Sequence, residues 1–232
     1  MSDAVGKHYV DDYRRYVGNL GRTFAHDDAM SYAVGGGDFA AAGEGQLRIL
    51  RHFGLSDGDR LVDVGCGSGR LSAALTREFG AGIGYLGLDV VPELLEHAAR
   101  ISDPSYTFAV HTELTIPVDE GECDAVAFFS VITHLRHEES YRYLRDAARA
   151  VRPGGLIVAT FLESERHWSI FERVVDIYGN PDVDEPAVVF IERPMLETWA
   201  RKIGLEIEQI LAFDPPGQSV AVLRRPATAP HP

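Results

Sequence analysis

Short apolar runs alternate with stretches of helical periodicity along most of this chain. Runs bounded by Gly, Pro or Asp are typical of buried strands, and five lie at residues 61–64, 83–88, 106–110, 123–129 and 156–161. Apolar residues recur at helical spacing in the intervening segments 71–79, 92–100 and 138–151. Strands that alternate with helices, without tight hairpins between them, predict an α/β fold with a parallel, doubly wound sheet.

The N-terminal part follows a different pattern. Residues 5–20 place tyrosines and aliphatic side chains near helical spacing, which predicts an amphipathic helix. Residues 21–43 read as a loop that contains Gly35-Gly36-Gly37, and a helix is expected from Glu44 to Phe53. The first helix either packs on the rim of the sheet or forms a lid over a ligand. Residues 1–43 are therefore interpreted as an N-terminal helix and loop, with a possible lid function.

The C-terminal part predicts a hairpin after two more helices. The helices are expected at 168–178 and 194–203, and the strands at 205–213 and 219–223, joined by a turn at 214–217. Residues 44–225 thus form the main domain, with an insert at about 162–193. Residues 226–232 are Pro-rich and are predicted to be a disordered tail.

A glycine-rich turn follows the first strand. Asp63 is followed by Gly65, Gly67 and Gly69 at alternate positions, and a helix begins just beyond them. Glycine has no Cβ, so such a turn can adopt positive φ and let a ligand approach the backbone, while the helix start adds free N–H donors. A dinucleotide fingerprint needs a glycine where this chain has Arg70, which disfavours a nicotinamide-dependent oxidoreductase. Asp63 itself, facing a mostly apolar crevice, needs a cationic or hydrogen-bond-donating partner.

Composition narrows the candidate partners. The net charge is −13, and Lys and Arg form no long basic run, so a nucleic acid substrate is disfavoured. No apolar run approaches the length of a membrane span, and no apolar signal segment follows Met1. Two cysteines, Cys66 and Cys123, suggest reduced, buried thiols. We expect a cytoplasmic protein that does not bind membranes or nucleic acid.

Several separated segments resemble one family. Asp63-Val-Gly-Cys-Gly-Ser-Gly69 is similar to motif I of the class I, Rossmann-like S-adenosylmethionine (SAM) methyltransferases of the bacterial small-molecule type, and Gly87-Leu-Asp89 is similar to the acidic end of their second strand. The segments 116–124 and 151–155 resemble the family's runs before the fourth and fifth strands. The resemblance implies a seven-stranded sheet of order 3-2-1-4-5-7-6 with the last strand antiparallel and an N-terminal helical lid. It also implies SAM as cofactor and S-adenosylhomocysteine as product, and no metal is predicted.

The resemblance also assigns cofactor residues. Gly65, Cys66 and Gly67 would line the methionine part of SAM, together with Asp63 at the strand end. Asp89 would accept hydrogen bonds from the ribose hydroxyls, and Val90 would lie beside the adenine. The family often has an aspartate after the third strand; this chain has His111-Thr112-Glu113, so the adenine contact is left open between Thr112, Glu113 and the backbone. The predicted cofactor site ends with Phe129 and Ser130, after the fourth strand.

The acceptor side depends on fewer observations. His134, beyond the fourth strand, is the candidate general base, and His137 and His167 are weaker candidates. His26-Asp27-Asp28 could suggest a metal site, but adjacent loop residues lack ligand geometry and are better read as solvated. The aromatic-rich segments that could roof the acceptor contribute Tyr9, Tyr13, Tyr32, His167 and Trp168.

The leading hypothesis is methyl transfer to a small-molecule acceptor, at a hydroxyl of sugar, lipid or secondary-metabolite type. The alternatives are a non-catalytic SAM-binding regulatory protein and an N-methyltransferase of a small molecule.

Overall fold

A seven-stranded mixed sheet organises the protein. The computed structural model describes residues 7–180, 183, 185–213 and 217–227. The strands are β1 (Arg60–Val64), β2 (Gly84–Asp89), β3 (Thr107–Val110), β4 (Cys123–Phe128), β5 (Val151–Phe161), β6 (Glu206–Phe213) and β7 (Gln218–Arg224). Their order is β3-β2-β1-β4-β5-β7-β6, and β7 is antiparallel to both of its neighbours, whereas β1 to β5 are parallel. The predicted fold class and strand order are confirmed.

Helices cover both faces of the sheet. They are α1 (His8–Thr23), α2 (His26–Ala33), α3 (Phe39–His52), α4 (Arg70–Phe79), α5 (Pro92–Ile101), α6 (His137–Ala150), α7 (Trp168–Ile177) and α8 (Arg193–Ile203). One core cluster joins Leu61 of β1 to α3 and α4, and another joins Val62 to α6 and α8. Successive strand residues point to opposite faces, so a strand with helices on both sides has to be apolar throughout. This requirement explains the continuous apolar runs in the sequence.

The N-terminal part contains more helix than expected. Residues 21–43, predicted as a loop, contain α2, and α3 begins at Phe39 rather than at Glu44. The Asp38 side chain caps α3 by accepting a hydrogen bond from the Ala41 N–H at 2.9 Å. Gly43 lies inside this helix because a Cβ there would come within 2.3 Å of the Arg70 carbonyl oxygen, so close packing of α3 on α4 outweighs the low helix propensity of glycine.

The first two helices pack into the protein rather than standing apart from it. Val17 of α1 and Met30 of α2 are buried in a cluster with Val91 and Leu94, which follow β2. Near the N-terminal end of α1, Tyr9 is buried in the core cluster that contains Val62 of β1.

Parts of four sequence predictions lie outside the described residues: residues 1–6 at the start of the chain, 181–182 and 184 in the predicted insert, 214–216 in the predicted turn, and 228–232 in the predicted tail. Within the part of the chain that the structure describes, no helix has the length and apolar character needed to span a membrane.

Candidate active site

A cavity of about 530 Å³ opens at the carboxyl ends of β1, β2 and β4. Strand order changes direction between β1 and β4, and open α/β sheets bind ligands at such switch points. Eleven residues singled out from the sequence line it: Tyr9, Tyr13, Asp63, Gly65, Cys66, Gly67, Asp89, Val90, Phe129, Ser130 and His134. The structure therefore brings most of the predicted cofactor residues and the candidate base to the lining of one cavity.

The glycine turn forms a close-fitting wall of this cavity. Gly65 and Gly67 have φ values of 66° and 55°, in the left-handed region that favours glycine. A Cβ on Gly65 would lie 2.5 Å from Val131 Cγ2, and one on Gly67 would lie 2.4 Å from Val34 Cγ1. The N-terminal segment thus lies directly over the turn, and only glycine leaves room for both the backbone and a ligand.

Asp89 stands at the end of β2 with its carboxylate on the cavity wall. Its Oδ2 accepts a hydrogen bond from the Gly67 N–H at 2.9 Å, and its Oδ1 accepts one from the Val91 N–H at 3.0 Å. Burial raises the pKa of this carboxyl, and the backbone donors partly counter that effect. A nearly buried carboxylate retains acceptor capacity beyond these two bonds, which suits a pair of ribose hydroxyls.

Asp63 lies at the end of β1 and is almost fully buried. The Tyr85 hydroxyl donates a hydrogen bond to its Oδ2 at 2.7 Å. Burial raises the pKa of Asp63 to about 7; the Tyr85 hydrogen bond lowers it, and the charge of Asp89 raises it further. A carboxyl balanced between its two protonation states near neutral pH responds strongly to a cation placed beside it.

Arg70 also lines the cavity. In the sequence, its only significance was that it replaces a glycine of the dinucleotide-binding fingerprint. It donates a hydrogen bond to the Gly36 carbonyl oxygen, and its guanidinium lies 5.6 Å from the centre of the Phe39 ring. Its Nε is buried without a hydrogen-bond partner, and burial lowers the pKa of the guanidinium to about 10. A buried donor without a partner costs free energy until an acceptor reaches it, so this side of the glycine turn favours a ligand group that accepts a hydrogen bond.

His134 belongs to a short 3-10 turn, Ile132–His134, after β4. Its Nδ1 lies 2.7 Å from the Ala187 carbonyl oxygen. Because a carbonyl oxygen can only accept, Nδ1 must carry the proton, which leaves Nε2 with a free lone pair. Burial lowers the pKa of His134 from its ordinary value of 6.5, so the ring is neutral at pH 7. Tyr13 of α1 packs edge-on against it, with the ring centres 5.2 Å apart.

Ser130 adopts a strained conformation beside this turn. Its φ of 60° is left-handed, which is uncommon for a residue other than glycine. Its N–H donates to Thr160 Oγ1 at 2.7 Å, and its hydroxyl donates to Gln218 Oε1 at 3.2 Å. Gln218, at the start of β7, lines the cavity and was missed in the sequence because no motif marks it.

Other predicted site residues lie away from the cavity wall. Thr112 and Glu113 contact the N-terminal helix instead: the Tyr9 hydroxyl donates to the Thr112 carbonyl oxygen at 2.7 Å, and Lys7 pairs with Glu113. Neither side chain is on the cavity wall, and the choice between Thr112, Glu113 and the backbone for the adenine contact stays a prediction.

Three predicted acceptor residues are also placed elsewhere. Tyr32 packs against Phe24 near the surface, with ring centres 4.6 Å apart, and Trp168 is exposed on α7. His167 is buried just before α7, where its Nδ1 accepts the Glu163 N–H at 2.9 Å. Its side chain thus closes a turn and does not line the cavity, and its contact with the acceptor stays a prediction.

The residues His26, Asp27 and Asp28 occupy the first turn of α2. The Asp27 side chain is 92% exposed, and acidic residues at a helix start complement its dipole. The described residues contain no cluster of three or more His, Cys, Asp or Glu side chains with metal-binding geometry.

The comparisons with known proteins agree with this geometry. Residues 61–155 match a family model described as a methyltransferase domain. The chain is 32% identical to the ubiquinone biosynthesis O-methyltransferase of Maricaulis maris over 120 residues, which is 47% of this chain and 45% of that protein. The chain spans about a third to a half of the length of several curated relatives that it matches.

Solved structures share the fold at lower identity. Magnesium protoporphyrin IX methyltransferase from Synechocystis with bound S-adenosylhomocysteine superposes with a TM-score of 0.67 at 16% identity, covering 91% of this chain and 97% of that one. The cyclase SpnF superposes with a TM-score of 0.62 at 18% identity, covering 82% of each chain. The matched domain, the glycine turn and the strand order lead to one conclusion: residues 61–155 form a methyltransferase domain, and the sheet around it has the class I, Rossmann-like methyltransferase strand order.

Proposed function

We propose that this protein transfers a methyl group from SAM to a hydroxyl group of a neutral, partly apolar small molecule. The observation that carries the proposal is the position of His134. A neutral imidazole with a free Nε2 shares one cavity with the glycine turn and Asp89. The residues that would bind the cofactor and the proposed general base therefore line the same cavity.

The residues that would hold the cofactor all line the cavity. Asp89 would accept hydrogen bonds from the ribose hydroxyls, Asp63 would pair with the ammonium group, and Arg70 would offer its unpaired Nε to the carboxylate. When bound, SAM supplies a methyl group on a positively charged sulfur, already activated for displacement. The protein therefore mainly has to align the acceptor, and alignment can contribute roughly 7–11 kcal/mol in favourable cases.

The chain's own contribution to the chemistry is to remove the acceptor's proton and to exclude water. Nε2 of His134 would accept the hydroxyl proton as the oxygen forms its bond to the methyl carbon, while the carbon–sulfur bond breaks and the sulfur leaves with that electron pair as neutral S-adenosylhomocysteine. General-base catalysis by a positioned histidine contributes ~10²–10⁴-fold. Tyr13 covers the ring from the side of α1, which shields the base from solvent.

The acceptor class follows from the cavity lining and from the relatives' names. The acceptor side combines Tyr13, Tyr16, Val188 and the Ser130–Gln218 pair. Aromatic bodies with a few polar groups suit an aromatic or otherwise apolar alcohol better than a phosphate. A curated relative named for O-methylation in ubiquinone biosynthesis supports a hydroxyl as the methylated group.

The test is a mass-spectrometric screen for a gain of one methyl group, in which the protein is incubated with SAM and a panel of phenols, sugars and amines. A hydroxylated product whose formation depends on His134 supports the proposal. Methylated amines whose formation is unaffected by His134→Ala would point to an N-methyltransferase instead, because a neutral amine needs no base.

A second candidate is a SAM-binding protein that does not transfer methyl groups. The similarity to SpnF is the reason to consider this alternative, because a protein named as a cyclase has the same fold. Tight binding of S-adenosylhomocysteine, with no methylated product from any acceptor, would support it. Failure of NAD to compete with S-adenosylhomocysteine would exclude the nicotinamide alternative.

A further inference from the structure

A short segment of backbone holds the 3-10 turn that carries His134. We call residues 185–191 the strap. Its Ala187 carbonyl oxygen accepts the His134 Nδ1–H at 2.7 Å, and its Val189 N–H donates to the Thr133 carbonyl oxygen at 2.7 Å. Its Phe190 carbonyl oxygen accepts His137 Nε2–H at 2.9 Å. The orientation of the His134 ring therefore depends on where the strap lies.

The start of the strap is tied to α7 by an ion pair. Arg173 Nη1 lies 2.8 Å from both carboxylate oxygens of Glu185. Both residues line the cavity, and their side chains are 53% and 37% exposed. Glu185 is two residues before Ala187, so this pair fixes the strap close to the carbonyl that holds His134.

The rest of α7 is packed lightly. None of its side chains is fully buried, and Trp168 and Val175 are more than half exposed. The aromatic contact between Phe171 and Phe190, with ring centres 5.3 Å apart, is a further link between this helix and the strap. Exposed ion pairs contribute little to global stability. The Arg173–Glu185 pair is therefore better suited to fix a local position than to stabilise the fold.

We propose that Arg173 and Glu185 are positioning residues for methyl transfer: their ion pair holds the strap so that the Ala187 carbonyl keeps the Nε2 atom of His134 directed at the acceptor. This inference rests on the proposed function, in which His134 is the base. Neither residue exchanges protons with the acceptor; both act through His134.

The experiment measures turnover of each variant in the wild-type protein and in the His134→Ala protein. Arg173→Ala and Glu185→Gln are expected to lower kcat by about 10-fold, since small misplacements of a reacting group can cost up to roughly 10²-fold, while S-adenosylhomocysteine affinity stays within about twofold. The charge swap Arg173→Glu with Glu185→Arg restores most of the rate. In a His134→Ala background, the same changes cause no further loss, because groups that act through one another are not additive.

The matched control is Arg77→Ala, which removes a similarly exposed ion pair with Glu44 between α4 and α3. It should leave kcat and the melting temperature unchanged. If Arg173→Ala slows turnover equally in the wild-type and His134→Ala backgrounds, the pair acts directly on the acceptor and the inference is overturned.

A second measurement does not need turnover. Nitrogen-15 NMR of the imidazole, assigned by its disappearance in His134→Ala, should show one tautomer with a protonated Nδ1 in the wild type and a mixture of tautomers in Arg173→Ala. An unchanged tautomer in Arg173→Ala contradicts the inference. A wild-type protein that methylates no acceptor refutes the proposed function, while this NMR result still decides whether the pair orients the ring.

Discussion

The two ends of the cavity are built in different ways. At the cofactor end, Asp63, the glycine turn and Asp89 come from strand ends within one stretch, residues 63–91, and neighbouring parallel strands β1 and β2 carry them. At the acceptor end, the walls come from α1, the turn after β4, α7, the strap and β7. The first end depends on local backbone geometry, and the second depends on contacts between segments far apart in the chain.

This difference predicts which changes affect binding and which affect turnover. Groups fixed by paired strands are held rigidly by the sheet, so a change there should remove a specific cofactor contact without altering the acceptor side. Groups held by surface helices and a strap can shift by small amounts, so changes there should lower the rate more than the affinity.

The largest effect is expected at the glycine turn. Gly67→Val places a branched side chain at a positive φ and against Val34, so we expect S-adenosylhomocysteine affinity to fall by at least ~100-fold, or about 2.7 kcal/mol, with the sheet intact. Calorimetry measures the affinity, and circular dichroism checks the fold. Gly18→Ala on α1, where a Cβ would meet no atom within 4 Å, is the control. Normal binding by the Gly67 variant would mean that this turn does not cradle the cofactor.

The next effect concerns the acceptor end. His134→Ala should lower kcat by ~10²-fold or more, with cofactor affinity unchanged, because only the proton acceptor is removed. His52→Ala, which replaces an exposed histidine, is the control. Since burial lowers the pKa of His134, its neutral form persists to lower pH, and the acid limb of kcat/KM should lie below 6.5 in the wild type. An unchanged rate and pH profile in the variant would leave alignment alone as the mechanism.

A smaller effect is expected at the ribose position. Asp89→Ala should weaken S-adenosylhomocysteine binding by more than ~1.5 kcal/mol, the scale of a hydrogen bond to a charged group. Asp89 also accepts the Gly67 and Val91 N–H groups, so Asp89→Asn, which keeps an acceptor oxygen, separates the loss of charge from the loss of the side chain. Unchanged affinity in a folded Asp89→Ala protein would remove this residue from the cofactor site.

The smallest expected effect is the release of a proton from Asp63 when the ligand binds. Its folded pKa of about 7 exceeds its unfolded value of 3.8, so the folded protein retains a proton that the unfolded chain loses, and this contribution to stability is lost as pH rises through about 7. A bound ammonium group favours the ionised carboxylate, so S-adenosylhomocysteine binding at pH 6.5 should release up to about one proton. Calorimetry in buffers of different ionisation enthalpy measures the release. It should disappear in Asp63→Asn and shrink at pH 8; release that persists in the variant would assign it to another group.

The fold and the cofactor end could be predicted because their signals are local. Apolar runs such as 123–129 indicate buried strands, and the spacing from Asp63 to Gly69 identifies the turn wherever the rest of the chain lies. The N-terminal part was harder to predict. Its helix α2 contains Ala29, Met30 and Ala33, which are buried only because Val91 and Leu94 cover them, and nothing within residues 21–43 reveals that partner.

The sequence by itself determined the parallel sheet, the strand that ends in Asp89 and the glycines at the turn, because short-range periodicity and steric limits on φ act within a few residues. Only the tertiary structure decided that Arg70 has a buried donor without a partner, that Thr112 and Glu113 face the N-terminal helix, and that Ala187 sets the tautomer of His134. The physical reason is separation along the chain: His134 and Ala187 are 53 residues apart, and their contact exists only once the sheet has brought both segments to the same edge.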